Sequence, residues 1–88
     1  MRARFMTCFA LANGLDSARL GIAASQKIGN AVLRNRTKRL IRELFRAHKP
    51  LTAIDIVVIP RREMADAPWP SLQIDYSAAL KRLEKGPQ

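Results

Sequence analysis

Eighty-eight residues carry a formal net charge of +9 and a single cysteine. That size fits one domain with a modest core. The lone Cys8 excludes an intramolecular disulfide and suits a reducing compartment, read here as the cytoplasm, and one cysteine with one histidine leaves no recognisable zinc set. No run reaches the roughly 20 apolar residues of a membrane-spanning helix, so the positive charge points to an anionic partner, a nucleic acid above all.

Phe5 to Leu11 is rich in aromatic and apolar residues and reads as the first strand. Period two sets Phe5, Thr7, Phe9 and Leu11 on one face and Met6, Cys8 and Ala10 on the other. With Met1–Arg4 before it and Ala10-Leu11-Ala12 at its end, this stretch has the outline of a secretory signal. About a dozen residues fall short of the usual ~15–30, however, and cleavage would remove a strand from the sheet. Ala12 to Ala18 holds Asn13-Gly14 and Asp16-Ser17, which is turn chemistry. Arg19 to Ala24 reads as a second strand, antiparallel to the first if the loop closes a hairpin.

Gln26 to Lys49 reads as an irregular lead-in followed by one long helix. Asn30 is the expected N-cap, Gly29 permits the tight turn before it, and Pro50 stops the helix. At roughly 100° per residue, Leu33, Thr37, Leu40, Ile41, Leu44 and Phe45 fall on one arc. Arg34, Asn35, Lys38, Arg39, Arg42 and Arg46 fall on another. A merely solvated face would mix in Glu to gain i,i+4 pairs. Here Glu43 is the sole acid among eight Lys and Arg between Lys27 and Lys49, so this segment alone carries +7. Arg34, Lys38 and Arg42 at successive i,i+4 spacing repel one another, a repulsion that a polyanion would convert into attraction. Arginine also offers phosphate a planar fork of donors. A solvated basic face and a membrane-surface helix are the competing readings; the second would leave the apolar arc without a core to join.

Asp55-Ile56-Val57-Val58-Ile59 is a continuous β-branched run and is expected to be a central strand covered on both faces. Glu63 to Pro70 holds two prolines and reads as an irregular loop, in which Trp69 either anchors to the core or stacks on a base. Ser71 is the expected N-cap of a last helix carrying Tyr76, Ala79, Leu80 and Leu83 as its apolar stripe. Lys81, Arg82 and Lys85 suit the negative end of its dipole, and Gly86-Pro87 terminates it. The order β-β-α-β-α predicts an α/β (α+β) two-layer sandwich of one small sheet with helices. Nothing in it looks catalytic. The serines lack a histidine partner, and His48 is expected to cap the basic helix. Cys8 is expected to be buried, and Asp55, Asp66 and Asp75 are too scattered for a metal site. Arg61 and Arg62 are placed to extend the basic surface.

The spelling KIGNAVLRNRTKRLIRELF goes beyond charge. Lys27, Gly29, Asn30, Ala31 and Val32 followed by Arg34, Asn35, Arg36, Lys38, Arg39, Arg42 and Glu43 closely resemble the signature of the bacterial ribonuclease P protein component. The family often has a second Lys before the first of these; this chain has Gln26. The resemblance extends more weakly from about Phe5 to Leu83 and makes residues 1–88 a single domain of that family. It implies a small α/β protein with a left-handed βαβ crossover, although such units are ordinarily right-handed. It also implies a protein subunit of a ribonucleoprotein endonuclease, in which the catalytic RNA removes the 5′ leader of precursor tRNA. Divalent magnesium would then be held by that RNA, with no cofactor or metal on the protein and no activity of the protein alone.

By the same resemblance, Lys27, Asn30, Arg34, Asn35, Arg36, Lys38, Arg39 and Arg42 are the expected contacts to the catalytic RNA. Phe5 and Phe9 are candidates for the cleft that takes the single-stranded leader. No membrane and no protein partner are expected. The family pattern starts with a basic segment and a helix that this sequence does not show. A late-assigned start codon, a trimmed chain or a reduced protein would each produce that difference. The alternative from another class is a generic RNA- or DNA-binding module, of ribosomal type, using the same basic helix.

Overall fold

The computed structural model describes residues 2–50 and 53–84. Its elements are β1 (Met6–Ala12), β2 (Arg19–Ile22), α1 (Ala31–Ala47), β3 (Ile54–Pro60) and α2 (Trp69–Glu84), with 3-10 turns at Gln26–Ile28 and Arg62–Asp66. The β-β-α-β-α order is as the sequence predicts. The pairing is not. The strand order is β1-β3-β2, with β3 antiparallel to β1 and parallel to β2, so the first two strands form no hairpin. The β-branched run of β3 gains most from two neighbours, and it takes the place between them.

The loop after β1 is therefore anchored to β3 rather than closed on itself. Asn13 receives the turn, accepting from the Leu15 N–H at 2.8 Å. Its amide donates to the Ser17 carbonyl and to Asp55, each at 3.0 Å. Arg19, at the head of β2, holds the same Asp55 with two bonds of 2.8 and 2.7 Å. The bonds from Arg19 and then Asn13 hold the Asp55 carboxyl at about 2, well below the usual carboxylate range. A depressed carboxyl contributes stability above its unfolded value near pH 4, and the contribution is lost as pH falls through about 2. Melting followed from pH 5 to pH 2 is therefore expected to fall less steeply for Asp55→Asn than for the natural chain. Parallel curves would show that this clasp does not stabilise the fold.

Even-numbered strand residues face the helices. Met6 and Cys8 of β1 and Ile56 and Val58 of β3 join Ile41 and Leu44 of α1 and Leu72, Tyr76, Ala79 and Leu80 of α2 in one core. Burial pushes the Cys8 thiol up to about 11, so it stays protonated at neutral pH. The odd-numbered side of the sheet is open: Phe9 is 51%, Leu11 70% and Ile59 40% exposed. The expectation that β3 is covered on both faces is thus corrected. Its outward residues Val57 and Ile59 lie beside Phe9 and Thr7 on that face.

Phe5 is a second correction. It precedes β1 instead of belonging to it, and it is buried in the core rather than exposed beside Phe9. The cause is Asp75 of α2, whose two carboxylate oxygens accept from the Arg4 and Phe5 backbone N–H groups at 2.9 Å each. Arg61, expected on the basic surface, is half-buried and ties this segment down. Its Nε–H donates to the Ala3 carbonyl and its Nη2–H to Thr7 Oγ1, both at 3.3 Å.

The expected loop from Glu63 to Pro70 is more regular than its prolines suggest. The Arg62–Asp66 turn buries Met64 and Ala65, and α2 begins at Trp69, with Pro70 in its first turn, where no N–H is needed. Ser71 lies inside the helix and is not its cap; Leu72 donates back to the Pro68 carbonyl at 3.1 Å. Trp69 packs against the core. The Tyr76, Ala79, Leu80 and Leu83 stripe faces inward as expected. Lys85 and the Gly86-Pro87 terminator lie outside the described residues.

Candidate nucleic-acid interface

Local signals build α1. Gly29 has φ +134°, a value L side chains rarely adopt, and a Cβ there would lie 2.7 Å from Leu33 Cδ1. Gly29→Ala is accordingly expected to cost more than about 1 kcal/mol, read as a lower denaturation midpoint; an unchanged midpoint would show that the turn relaxes without penalty. Asn30 caps the helix, its Oδ1 accepting the Leu33 N–H at 3.0 Å. At the other end the His48 backbone N–H donates to the Leu44 carbonyl at 2.9 Å, and the His48 ring lies against Tyr76, centroids 6.1 Å apart. Thr37, polar and fully buried, satisfies its hydroxyl by donating to the Leu33 carbonyl at 2.8 Å. Thr37, Ile41 and Leu44 form the buried line, flanked by half-buried Leu33, Leu40 and Phe45.

The opposite arc is cationic. At about 100° per residue, Arg34, Lys38, Arg42, Asn35, Arg46 and Arg39 span about 140° of the helix. Asn35, Arg39, Arg42 and Arg46 are exposed, and Arg34 and Lys38 are half-buried at the border with the core. Among the described residues, none of Arg36, Lys38, Arg39, Arg42 and Arg46 is paired with a carboxylate. Arg34 donates from Nη1 to the Gly29 carbonyl at 3.4 Å, which ties one edge of its guanidinium to the turn before the helix. Lys27 is exposed in the Gln26–Ile28 turn, next to the helix start. Of the eight candidates for RNA contact, Arg36 stands apart, roughly 160° around the helix from Lys38 and beside Glu43. Asn30 caps the helix through its Oδ1.

A second surface lies in the other layer. On the open side of the sheet the register sets Phe9 beside Val57, Thr7 beside Ile59 and Leu11 beside Asp55, with Gly21 and Arg19 of β2 on the far side of Val57 and Asp55. Of the two candidate phenylalanines only Phe9 is there. Leu11, Val57 and Ile59 join it. Period two alone sets Leu11 on Phe9's face, whereas Val57 and Ile59 are placed there only by the register.

Among the described residues no three His, Cys, Asp or Glu come together as a metal site, and no helix is long and apolar enough to cross a membrane.

The sequence pattern of the Ribonuclease P family matches residues 1–84. The chain belongs to the ribonuclease P protein family. A ribonuclease P protein component from Staphylococcus aureus is 47% identical over 68 residues, covering 76% of this chain. That match spans 59% of the relative's own length. The solved structure of a Staphylococcus aureus ribonuclease P protein superposes with a TM-score of 0.82 at 38% identity, over 96% of this chain and 79% of that one. The ribonuclease P protein from Thermotoga maritima superposes with a TM-score of 0.84 at 33% identity, over 93% and 80%. The parallel β2–α1–β3 unit therefore has the family's arrangement, the hand of its crossover included, since a mirror-image connection would not superpose in this way.

Proposed function

We propose that this chain is the RNA-binding protein subunit of ribonuclease P and assists a catalytic RNA in endonucleolytic removal of the 5′ leader from precursor tRNA. The observation that carries the reading is the cationic arc of α1, whose arginines and lysine have no carboxylate partner among the described residues. Side chains that repel one another and are left uncompensated by the protein are compensated by phosphates. Arg34, Asn35, Lys38, Arg39 and Arg42 bind the backbone of the folded RNA, with Lys27 at the helix start and Arg36 on the flank. The arginines engage phosphate oxygens through two donors at once. The RNA positions the divalent magnesium that performs phosphodiester hydrolysis. Phe9, with Leu11, Val57 and Ile59 around it, offers the single-stranded leader an apolar platform on which a base can stack.

The test is the salt dependence of binding to a bacterial ribonuclease P RNA. If about six side chains neutralise phosphates, log K falls with log[salt] at a slope of roughly −4 to −5. A slope near zero would remove the electrostatic account. Protein freed of RNA is expected to leave precursor tRNA intact in a gel assay; cleavage by it would contradict the subunit reading.

A further inference from the structure

A cavity of about 440 Å³ opens at the C-terminal end of α1. Among the described residues its walls come from three segments: Asp16, Ser17 and Ala18 of the loop between β1 and β2; Phe45, Lys49 and Pro50 at the end of α1; and Ala53 before β3. Phe45, Pro50 and Ala53 are half-buried, while Asp16, Ser17 and Lys49 are exposed. The cavity thus has a mixed lining, apolar from Phe45, Pro50 and Ala53 and polar from Asp16, Ser17 and Lys49, in the size range of small-molecule sites.

We propose that this cavity takes an unstacked guanine base of the RNA bound along α1. Three observations carry it. First, position: Phe45 lies where the apolar arc of α1 meets the cationic one, roughly 60° around the helix from Arg42. Lys38 lies within about 20° of Phe45, two turns nearer the N-terminus, so a strand that runs from Lys38 along the helix axis reaches the mouth. Second, charge: Asp16 is an acid on a strongly basic molecule, and among the described residues it pairs with no cation, although Lys49 lines the same cavity. An acid placed so is a poor phosphate contact and a good acceptor for paired N–H donors. Guanine alone among the four bases presents two adjacent donors, N1–H and the N2 amine, on its Watson–Crick edge, a match to the two oxygens of a carboxylate. Third, rigidity: the Asp16 loop is braced on both sides, by Asn13 accepting from Leu15 and donating to the Ser17 carbonyl and Asp55. The backbone that carries Asp16 is thus fixed before the base arrives. The base plane lies on Phe45, its edge meets Asp16, and Lys49 attracts the flanking phosphate.

The inference rests on the RNA-binding reading of α1, and the experiment separates the two. Ten-nucleotide uridine strands with one central guanosine or one central adenosine are titrated into the full chain, with amide NMR shifts as the readout. Guanosine, adenosine, cytidine and uridine monophosphates are titrated in parallel. The expected result is that the guanosine strand moves the amides of Asp16, Ser17, Phe45 and Lys49 and binds at least about fivefold tighter than the adenosine strand. Asp16→Asn, with an unchanged melting temperature, is expected to abolish that preference while keeping the shifts along Lys38–Arg46. Lys49→Ala is expected to weaken both strands about equally. If both strands bind along α1 without discrimination and without shifts at the cavity, the guanine site is overturned and the RNA reading stands. Should neither strand nor structured RNA bind, the RNA reading itself fails. Guanosine monophosphate shifting the cavity amides while the guanosine strand does not would overturn the assignment to RNA in favour of a free nucleotide.

Discussion

Leu44→Ala is expected to destabilise the protein by about 2–5 kcal/mol. Leu44 is fully buried between the sheet and the helices, as is Ile41 one turn earlier. Removing its branched end takes away transfer free energy and leaves a cavity that a close-packed core of this size cannot refill. A domain of 88 residues has only a small net stability to lose, so the variant should be largely unfolded near physiological temperature. Leu40→Ala should cost less, because Leu40 sits at the edge of the core, half-buried. Chemical denaturation of the two variants checks the order. Equal losses would mean that α1 is rotated about its axis relative to the packing described.

Arg39→Ala combined with Arg42→Ala is expected to do the reverse: leave the denaturation midpoint unchanged or slightly raised, and weaken binding to the catalytic RNA by about 10- to 100-fold, or about 1.4–2.7 kcal/mol. Both residues are exposed, so truncating them opens no cavity. If each neutralises one phosphate, the salt slope also flattens by roughly 1.5. The two readouts are independent. A weakened affinity with an unchanged slope would assign these arginines to base or sugar contacts. A lowered midpoint would show that they hold the fold.

The contrast between those variants also marks what a sequence reveals. The α1 helix was readable end to end because its signals are local: Gly29 and Asn30 at the start, Pro50 beyond the end, and two arcs generated by the helical period alone. The cationic candidates came with it. The strands were located, but not their partners. Whether Arg19–Ile22 pairs with Met6–Ala12 or with Ile54–Pro60 depends on competition among segments some 30–40 residues apart in the chain, and the hairpin lost to the stronger β-branched run. Phe5 left the face of Phe9 through one remote carboxylate, Asp75. Val57 and Ile59 were unreadable as an open surface for a related reason. A run apolar at every position reads as fully covered, and only the exposure of Ile59 beside Phe9 and Leu11 shows otherwise. The cavity at the end of α1 draws on three segments, so no single stretch could have announced it.

The central claim, that this chain completes a catalytic ribonucleoprotein through α1, is tested most directly by reconstitution. The full chain is mixed with a bacterial ribonuclease P RNA at a magnesium concentration too low for that RNA to act alone, and cleavage of a precursor tRNA is followed at its 5′ end. The account predicts no cleavage by either component separately and accurate removal of the leader by the two together. It also predicts that the Arg39→Ala, Arg42→Ala chain, folded but weakly bound, restores cleavage only at much higher protein concentration. Failure of the natural chain to stimulate an RNA that is active at high magnesium, or equal stimulation by the double variant, would contradict it.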